Sequence, residues 1–440
     1  MNVSRHFVLA AGGTGGHMVP AHALAAELMA RGHRVALITD ERGQRIPGLF
    51  DGVPVHVMPA GRVAGGPLGW VKAARGILAG RAMARRLYDS FEPTAVVGFG
   101  GYPALPALLG ATADGIATVV HEQNAVLGRV NRLVAGRVKA IATAYPSVER
   151  LRPRYARKVH LVGNPVREII RQIGMKPFPS LDDQAPFRIL VTGGSQGATI
   201  LSTVVPDGLG LLPAPIRQRL QIVQQCRPED IEQVRARYRE LGIPAELATY
   251  LPDLPEILAR SHLVIARAGA STIAELTVAG RPAILVPLPS AMDDHQTANA
   301  REMSAAGGAR MIAQAMFTPQ ALGQQIGALL EDPEALIVAA AHAKASGIPD
   351  AAARLADLVE SFGRTPVMDA IGDDVRAKKK AVKRTLAMGG AGRNSFKFLP
   401  GTGRWRAEGV TEGALDQALR SLRAPSTSLR LVPLPLQGRN

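Results

Sequence analysis

Cysteine is almost absent from this chain of 440 residues, which has only Cys226, and aromatic residues make up only 4%. A lone thiol excludes a disulfide framework and any Cys-based zinc cluster, and it suits a reducing compartment. No basic stretch of the main body interleaves aromatics, so base-stacking nucleic-acid modules are disfavoured. The N-terminal apolar run Phe7-Val8-Leu9-Ala10-Ala11 is too short for a secretory leader and leads straight into glycines. Residues 93–113 carry no charge over 21 positions, enough to span a bilayer, but Pro93, Pro103, Pro106 and four glycines interrupt them. They read instead as a buried strand, a tight loop and a helix start, and the expectation is a soluble cytoplasmic protein. Acid is also in deficit. Against 52 Lys/Arg stand 36 Asp/Glu, and the net charge of +16 points to acidic partners: phosphorylated metabolites, nucleic acid or an anionic membrane face.

What the chain does have is an α/β pattern. Short apolar runs at 6–11, 34–39, 95–98, 117–121, 139–142 and 159–162 alternate with helical periods such as 20–31. The runs resume at 187–192, 220–224, 262–266 and 283–287, with a helical period at 272–280. An internal repeat divides this array. Phe7-Val8-Leu9-Ala10 runs into Gly12-Gly13-Thr14-Gly15-Gly16, and Ile189-Leu190-Val191 runs into Gly193-Gly194-Ser195-Gln196-Gly197. Each half reads as a Rossmann-like domain, the two joined near Gly163-Asn164-Pro165. From 365 to 440 the pattern fades, and 14 Lys/Arg against 6 Asp/Glu read as a basic, disordered extension.

Glycines at 12–16 let backbone approach a ligand, and free amides at a helix N-terminus attract an anion. With Asp40 ending the second strand, a dinucleotide site is the first reading. The G-x-G-x-x-G spacing fails, however, because Met18 occupies the third glycine position. A nicotinamide-dependent oxidoreductase is thereby disfavoured, and the loop reads as a phosphate or sugar site of another kind. His17, at the loop's end, is either a cap or a general base kept neutral by the helix dipole. His121-Glu122-Gln123-Asn124 ends an apolar strand where open α/β sheets bind ligands, although Glu122 and Gln123 also suit a loop-stabilising network.

In the second half, Arg267-Ala268-Gly269-Ala270-Ser271-Thr272-Ile273-Ala274-Glu275 follows a strand. Thr272 and Glu275 have capping-box spacing, while the small residues equally admit a nucleotide whose ribose Glu275 would grip. Asp293-Asp294-His295 has no matching ligand cluster elsewhere, so no metal is expected. Gln296 and Asn299 read as partners for sugar hydroxyls. Residues 62–86 carry six Lys/Arg and no acid, interleaved with Leu68, Trp70, Val71, Ile77 and Leu78. Such a segment either rests on an anionic membrane or packs as an amphipathic helix on its sheet.

Six motifs in order give these residues a distinctive signature: 12–17, 121–124, Gly-Asn-Pro-Val-Arg at 163–167, 193–198, 267–275 and Asp-His-Gln-x-x-Asn-Ala at 294–300. Over roughly residues 5–360 the chain resembles the bacterial peptidoglycan N-acetylglucosaminyltransferases, which serve cell-wall synthesis, cell shape and division. The resemblance implies a GT-B fold, two Rossmann-like domains with the active site in the cleft between them. It implies an acceptor domain over 1–163, a donor domain over 164–340 and a C-terminal helix at 341–364 returning to the first domain, while the extension 365–440 has no counterpart in the family and is assigned no function. The implied reaction is inverting, without metal or cofactor: N-acetylglucosamine passes from UDP-N-acetylglucosamine to the muramoyl C4 hydroxyl of lipid I. The implied catalytic base is His17. Implied substrate contacts are Thr14, Gly15, Gly16, Asn124, Arg167, Ser195, Leu251, Ala270, Ser271, Thr272, Ile273, Ala274, Glu275 and Gln296. Leu68, Trp70, Val71, Lys72 and Arg75 would face an anionic inner-membrane surface from the cytoplasmic side, as parts of a peripheral protein that binds no nucleic acid. One stretch departs from the family: after Gln224, where many relatives show a His-x-Ser/Thr-Gly turn, this chain reads Gln225-Cys226-Arg227-Pro228.

Overall fold

The apolar runs assemble into two parallel sheets. The computed structural model describes residues 4–45, 50–59, 66–182, 185–194 and 197–362, with a two-stranded antiparallel ribbon of Phe396–Phe398 and Trp405–Ala407. The rest of the 365–440 extension, Ser195, and the side chains of Leu68, Trp70 and Lys72 lie outside the described residues.

The first sheet contains β1 (His6–Ala10), β2 (Arg34–Thr39), β3 (Val55–Val57), β4 (Ala95–Gly98), β5 (Ala117–Glu122), β6 (Ala140–Thr143) and β7 (Val159–Leu161). Its order is β3-β2-β1-β4-β5-β6-β7. Between the strands run α1 (Gly15–Ala30), α2 (Glu41–Gln44), α3 (Gly66–Phe91), α4 (Ala104–Ala113) and α5 (Arg129–Val134). After α6 (Glu168–Met175) the second sheet follows: β8 (Phe187–Thr192), β9 (Leu220–Gln225), β10 (Ala245–Ala248), β11 (Leu263–Ala266), β12 (Ala283–Leu285) and β13 (Ala309–Met311). Its order, β10-β9-β8-β11-β12-β13, repeats that of the first without a counterpart of β7. Its helices are α7 (Thr199–Gly210), α8 (Ala214–Arg219), α9 (Ile231–Leu241), α10 (Leu254–Arg260), α11 (Ala270–Ala279), α12 (His295–Ala305), α13 (Pro319–Glu331) and α14 (Pro333–Ser346). The last helix of this body is α15 (Ala351–Glu360).

Helices cover both faces of each sheet, so the central strands are apolar throughout; Phe7, Val8, Leu9 and Ala10 are all fully buried. In each sheet the order reverses beside the first strand. Both glycine loops therefore open at a switch point, at the carboxyl ends of the strands.

The second sheet's residues include α14, whose Ala343 is buried with Val278 and Met303. The chain crosses back only after it. Leu355, Ala356 and Val359 of α15 are fully buried in the first sheet's core beside Leu24 and Leu28 of α1. Arg31 seals this contact through Asp357 at 2.6 Å and Glu360 at 2.9 Å. The outgoing and returning crossings touch: a Cβ on Gly163, where φ is +87°, would lie 2.7 Å from Ile348. His121 fixes the outgoing one by donating from Nε2 to the Gly163 carbonyl at 2.8 Å. Burial pushes the His121 pKa down to about 4, so the ring is neutral.

Because Leu355 is fully buried in a core made by a distant segment, Leu355→Ala leaves a cavity there. The expected cost is about 2–5 kcal/mol, read by chemical denaturation.

Candidate active site

The 12–16 loop turns through Gly13 at φ +83°. Helix α1 begins at Gly15, five residues earlier than the expected start, so Pro20 lies inside it and gives up one internal hydrogen bond. Thr14 is the N-cap but bonds no amide through its side chain, and the first turn holds no acid. Among the described residues the amides of Gly15 and Gly16 are open to an anion, whereas those of His17 and Met18 donate to the Thr14 carbonyl. His17 donates from Nδ1 to the Gly12 carbonyl at 3.1 Å, which leaves the lone pair on Nε2. That Nε2 faces Gly100, where a Cβ would sit 3.2 Å away. Burial lowers the His17 pKa; the Gly12 hydrogen bond opposes this, and the charges of His295 and Arg42 add to the lowering. The ring has the tautomer and the charge state of a base. Asp40 is not free to hold a ribose: its carboxylate accepts from Gly13 N at 3.0 Å and Gly43 N at 2.9 Å and pairs with Arg42 at 2.9 Å.

At the end of β5, Glu122 is buried and accepts four hydrogen bonds, from Asn124 N, Asn124 Nδ2, Gly128 N and Asn131 Nδ2. Gln123 donates to the Phe99 carbonyl at 2.9 Å. Both residues organise the loop.

The capping-box reading fails. Helix α11 starts at Ala270 with Gly269 as N-cap and no side-chain cap, so Glu275 lies in its second turn. Glu275 Oε1 instead accepts from Arg167 Nε at 3.1 Å and Nη2 at 2.9 Å. Among the described residues Oε2 accepts nothing. Burial raises the Glu275 pKa and the Arg167 charge opposes that rise. Ser271 Oγ is buried on the same helix and, among the described residues, has no partner. Leu251 and Ile273 point into the domain core, so only their backbone can meet a ligand. Gln296 Oε1 accepts from Ala268 N at 3.2 Å and Leu288 N at 3.0 Å, leaving its Nε2 available.

Asn299 is fully buried and does not face a ligand. It accepts from Ala125 N at 2.8 Å and donates to Asn124 Oδ1 at 3.0 Å and to the Ala268 carbonyl at 3.2 Å. The Asn124 side chain is thereby engaged at both ends. Asp293, Asp294 and His295 diverge. Asp293, at φ +57°, takes Arg132 at 2.5 Å and Arg150 at 2.8 Å, Asp294 accepts from Thr297, and His295 donates to the Met292 carbonyl.

A cleft between two such sheets, with a neutral histidine on one side and an open helix N-terminus beside a carboxylate on the other, has clear relatives. The family model of the glycosyltransferase family 28 N-terminal domain matches residues 7–143, and that of the C-terminal domain matches residues 188–355. The UDP-N-acetylglucosamine--N-acetylmuramyl-(pentapeptide) pyrophosphoryl-undecaprenol N-acetylglucosamine transferase of Erythrobacter litoralis is 60% identical over 382 residues, covering 86% of this chain and 96% of the relative. The transferase of the same name from Zymomonas mobilis is 61% identical over 380 residues, 86% of this chain and 98% of the relative. The chain belongs to glycosyltransferase family 28.

Among solved structures, Acinetobacter baumannii MurG superposes with a TM-score of 0.66 at 30% identity, over 81% of this chain and 99% of that one. A Neisseria meningitidis UDP-GlcNAc 2-epimerase shares the fold at a TM-score of 0.56 and 15% identity, over 80% of this chain and 98% of that one.

Two features of this family 28 transferase stand out. The departing turn at 225–228 packs on the second glycine loop. Gln225 accepts from Thr192 Oγ1 at 2.9 Å, and a Cβ on Gly197, at φ +66°, would lie 2.7 Å from Arg227 Cγ. On α3 the outward face is partly apolar: Val71 is 51% and Leu78 63% exposed, with Arg75 exposed between them, while Ala84, Leu87 and Tyr88 form the buried side. Among the described residues no helix is long and apolar enough to cross a membrane. A structural role for Glu122 has a simple consequence. Glu122→Ala orphans buried donors at about 1–3 kcal/mol each, so the melting temperature is expected to fall sharply in a thermal denaturation scan.

Proposed function

We infer that this protein transfers N-acetylglucosamine from UDP-N-acetylglucosamine to the C4 hydroxyl of undecaprenyl-diphospho-N-acetylmuramoyl-pentapeptide, forming lipid II and UDP in peptidoglycan synthesis. The observation that carries this is the 60% identity to the Erythrobacter litoralis transferase, named for that donor and acceptor, over 96% of its length. Supporting it, His17 has a free Nε2 in the acceptor half of the cleft. That nitrogen takes the proton of the attacking hydroxyl as its oxygen bonds to the sugar C1. The bond from C1 to the diphosphate breaks on the opposite face, inverting the centre, and the electron pair leaves with UDP. The free amides at the start of α11 meet the charge that develops on the leaving diphosphate. Glu275 Oε2 takes the ribose diol, and the Arg167 charge opposes the rise that burial gives this carboxyl's pKa. The acceptor's diphosphate lies over the Gly15 and Gly16 amides. The protein sits peripherally on the cytoplasmic face of the inner membrane, with Val71, Arg75 and Leu78 of α3 against anionic lipid.

The direct test is transfer of labelled N-acetylglucosamine from its UDP donor to a short-chain lipid I analogue; no labelled lipid product would refute the assignment. His17→Ala is expected to lower kcat by roughly 10²–10⁴-fold with little change in the donor KM. A base must be neutral, so activity falls as pH drops through its pKa. With that pKa below the ordinary 6.5, the acidic limb of kcat/KM lies below pH 6.5 in the parent and is absent in the variant. For Glu275→Gln the expectation is a donor KM about ten- to a hundredfold higher, from loss of a charged hydrogen bond. Its melting temperature should move little, because Glu275 caps no helix end.

A further inference from the structure

We propose that Arg42 is an acceptor-binding residue, whose guanidinium grips the diphosphate of the lipid-linked acceptor from a seat on the first glycine loop. The proposal rests on the acceptor assigned above.

The seat is built from one carboxylate. Asp40 Oδ2 accepts from Arg42 Nε at 3.0 Å and Nη2 at 2.9 Å, which fixes the plane of the guanidinium. Asp40 Oδ1 accepts from Gly13 N and Gly43 N, so the same group ties the arginine to the loop. The fit is close: the missing Cβ of Gly13 would lie 2.6 Å from Arg42 Nη2 and 3.1 Å from its Cζ. The guanidinium occupies the space a side chain at 13 would need.

The pair is polarised. Asp40 is buried, with 8% of its surface exposed, whereas the Arg42 side chain is 52% exposed. Among the described residues, Arg42 Nη1 donates to nothing. A ligand at this edge therefore meets the cation and not the acid. It also meets the uncapped amides at the start of α1, in a turn that holds no acidic residue. Arg42 lies against Gly13 of the same loop whose Gly12 carbonyl takes the His17 Nδ1 hydrogen bond. A planar fork with free donors suits two adjacent phosphate groups better than a sugar hydroxyl.

The test compares the parent with Arg42→Ala, Arg42→Lys and Asp40→Asn in the transfer assay, with melting temperatures recorded for each. Arg42→Ala should raise the acceptor KM about ten- to a hundredfold and leave the donor KM within about twofold, the loss expected for a charged hydrogen bond. Arg42→Lys should fall between, keeping charge without the fork. Asp40→Asn should follow Arg42→Ala in direction, because it loosens the seat. Competitive inhibition of the parent by a short-chain polyprenyl diphosphate should weaken in parallel in Arg42→Ala. If Arg42 is only a brace for the loop, Arg42→Ala will lower the melting temperature and kcat while the acceptor KM and the diphosphate's inhibition constant stay at parent values. That result overturns the proposal. A parent protein that transfers nothing to the lipid I analogue would instead overturn the acceptor assignment and this inference with it.

Discussion

One carboxamide joins the two working edges of this enzyme. Asn299 starts from the second domain, reaches the loop after β5 through Ala125 N and Asn124, and reaches the loop after β11 through the Ala268 carbonyl. It is fully buried, so every bond it makes substitutes for water that cannot enter. Ala125, Val126 and Ala298 pack around it as a small apolar seam. Asp293, gathering Arg132 and Arg150 from the first domain, adds charge to the same boundary. The separation of His17 from the α11 N-terminus is set by how these contacts close.

The two halves repeat more than their strand order. In each, a glycine at positive φ leaves a space that an arginine fills: Arg42 against Gly13 and Arg227 against Gly197. Each arginine is paired with an acid two positions away, Asp40 in the first case and Glu229 in the second. The first acid is buried and the second is exposed, so only the first arginine is held rigidly. In the first half the acid that a dinucleotide fold would offer to a ribose is engaged by Arg42, Gly13 N and Gly43 N.

Much of this was legible in the residues. Long apolar runs marked the central strands because such strands are buried on both faces. Strands β3, β10 and β13 left no such mark: they are short edge strands, half wetted, and their pairing is decided by neighbours far away in sequence. Pro20 marked a helix start that lay earlier, because the glycines before it already adopt helical backbone. The spacing of Thr272 and Glu275 fitted a cap equally well, and only the partner 108 residues away, Arg167, decides the carboxylate's role. Asn299 looked like a sugar ligand for the same reason: a polar side chain in a motif does not reveal which way it faces. Arg42 did carry a local signal, an arginine two positions after a strand-ending aspartate, but nothing in composition distinguishes a seated guanidinium from a solvated one.

The outgoing and returning chain segments have a mechanical consequence. Gly163 and Ile348 are in contact, so the two covalent crossings between the domains lie side by side and do not stand at opposite ends of the boundary. Two adjacent tethers resist sliding and separation but leave a rotation about themselves. Of the motions the backbone permits, that rotation is the one the tethers restrain least, and the Asn299 and Asp293 bonds across the boundary are what oppose it.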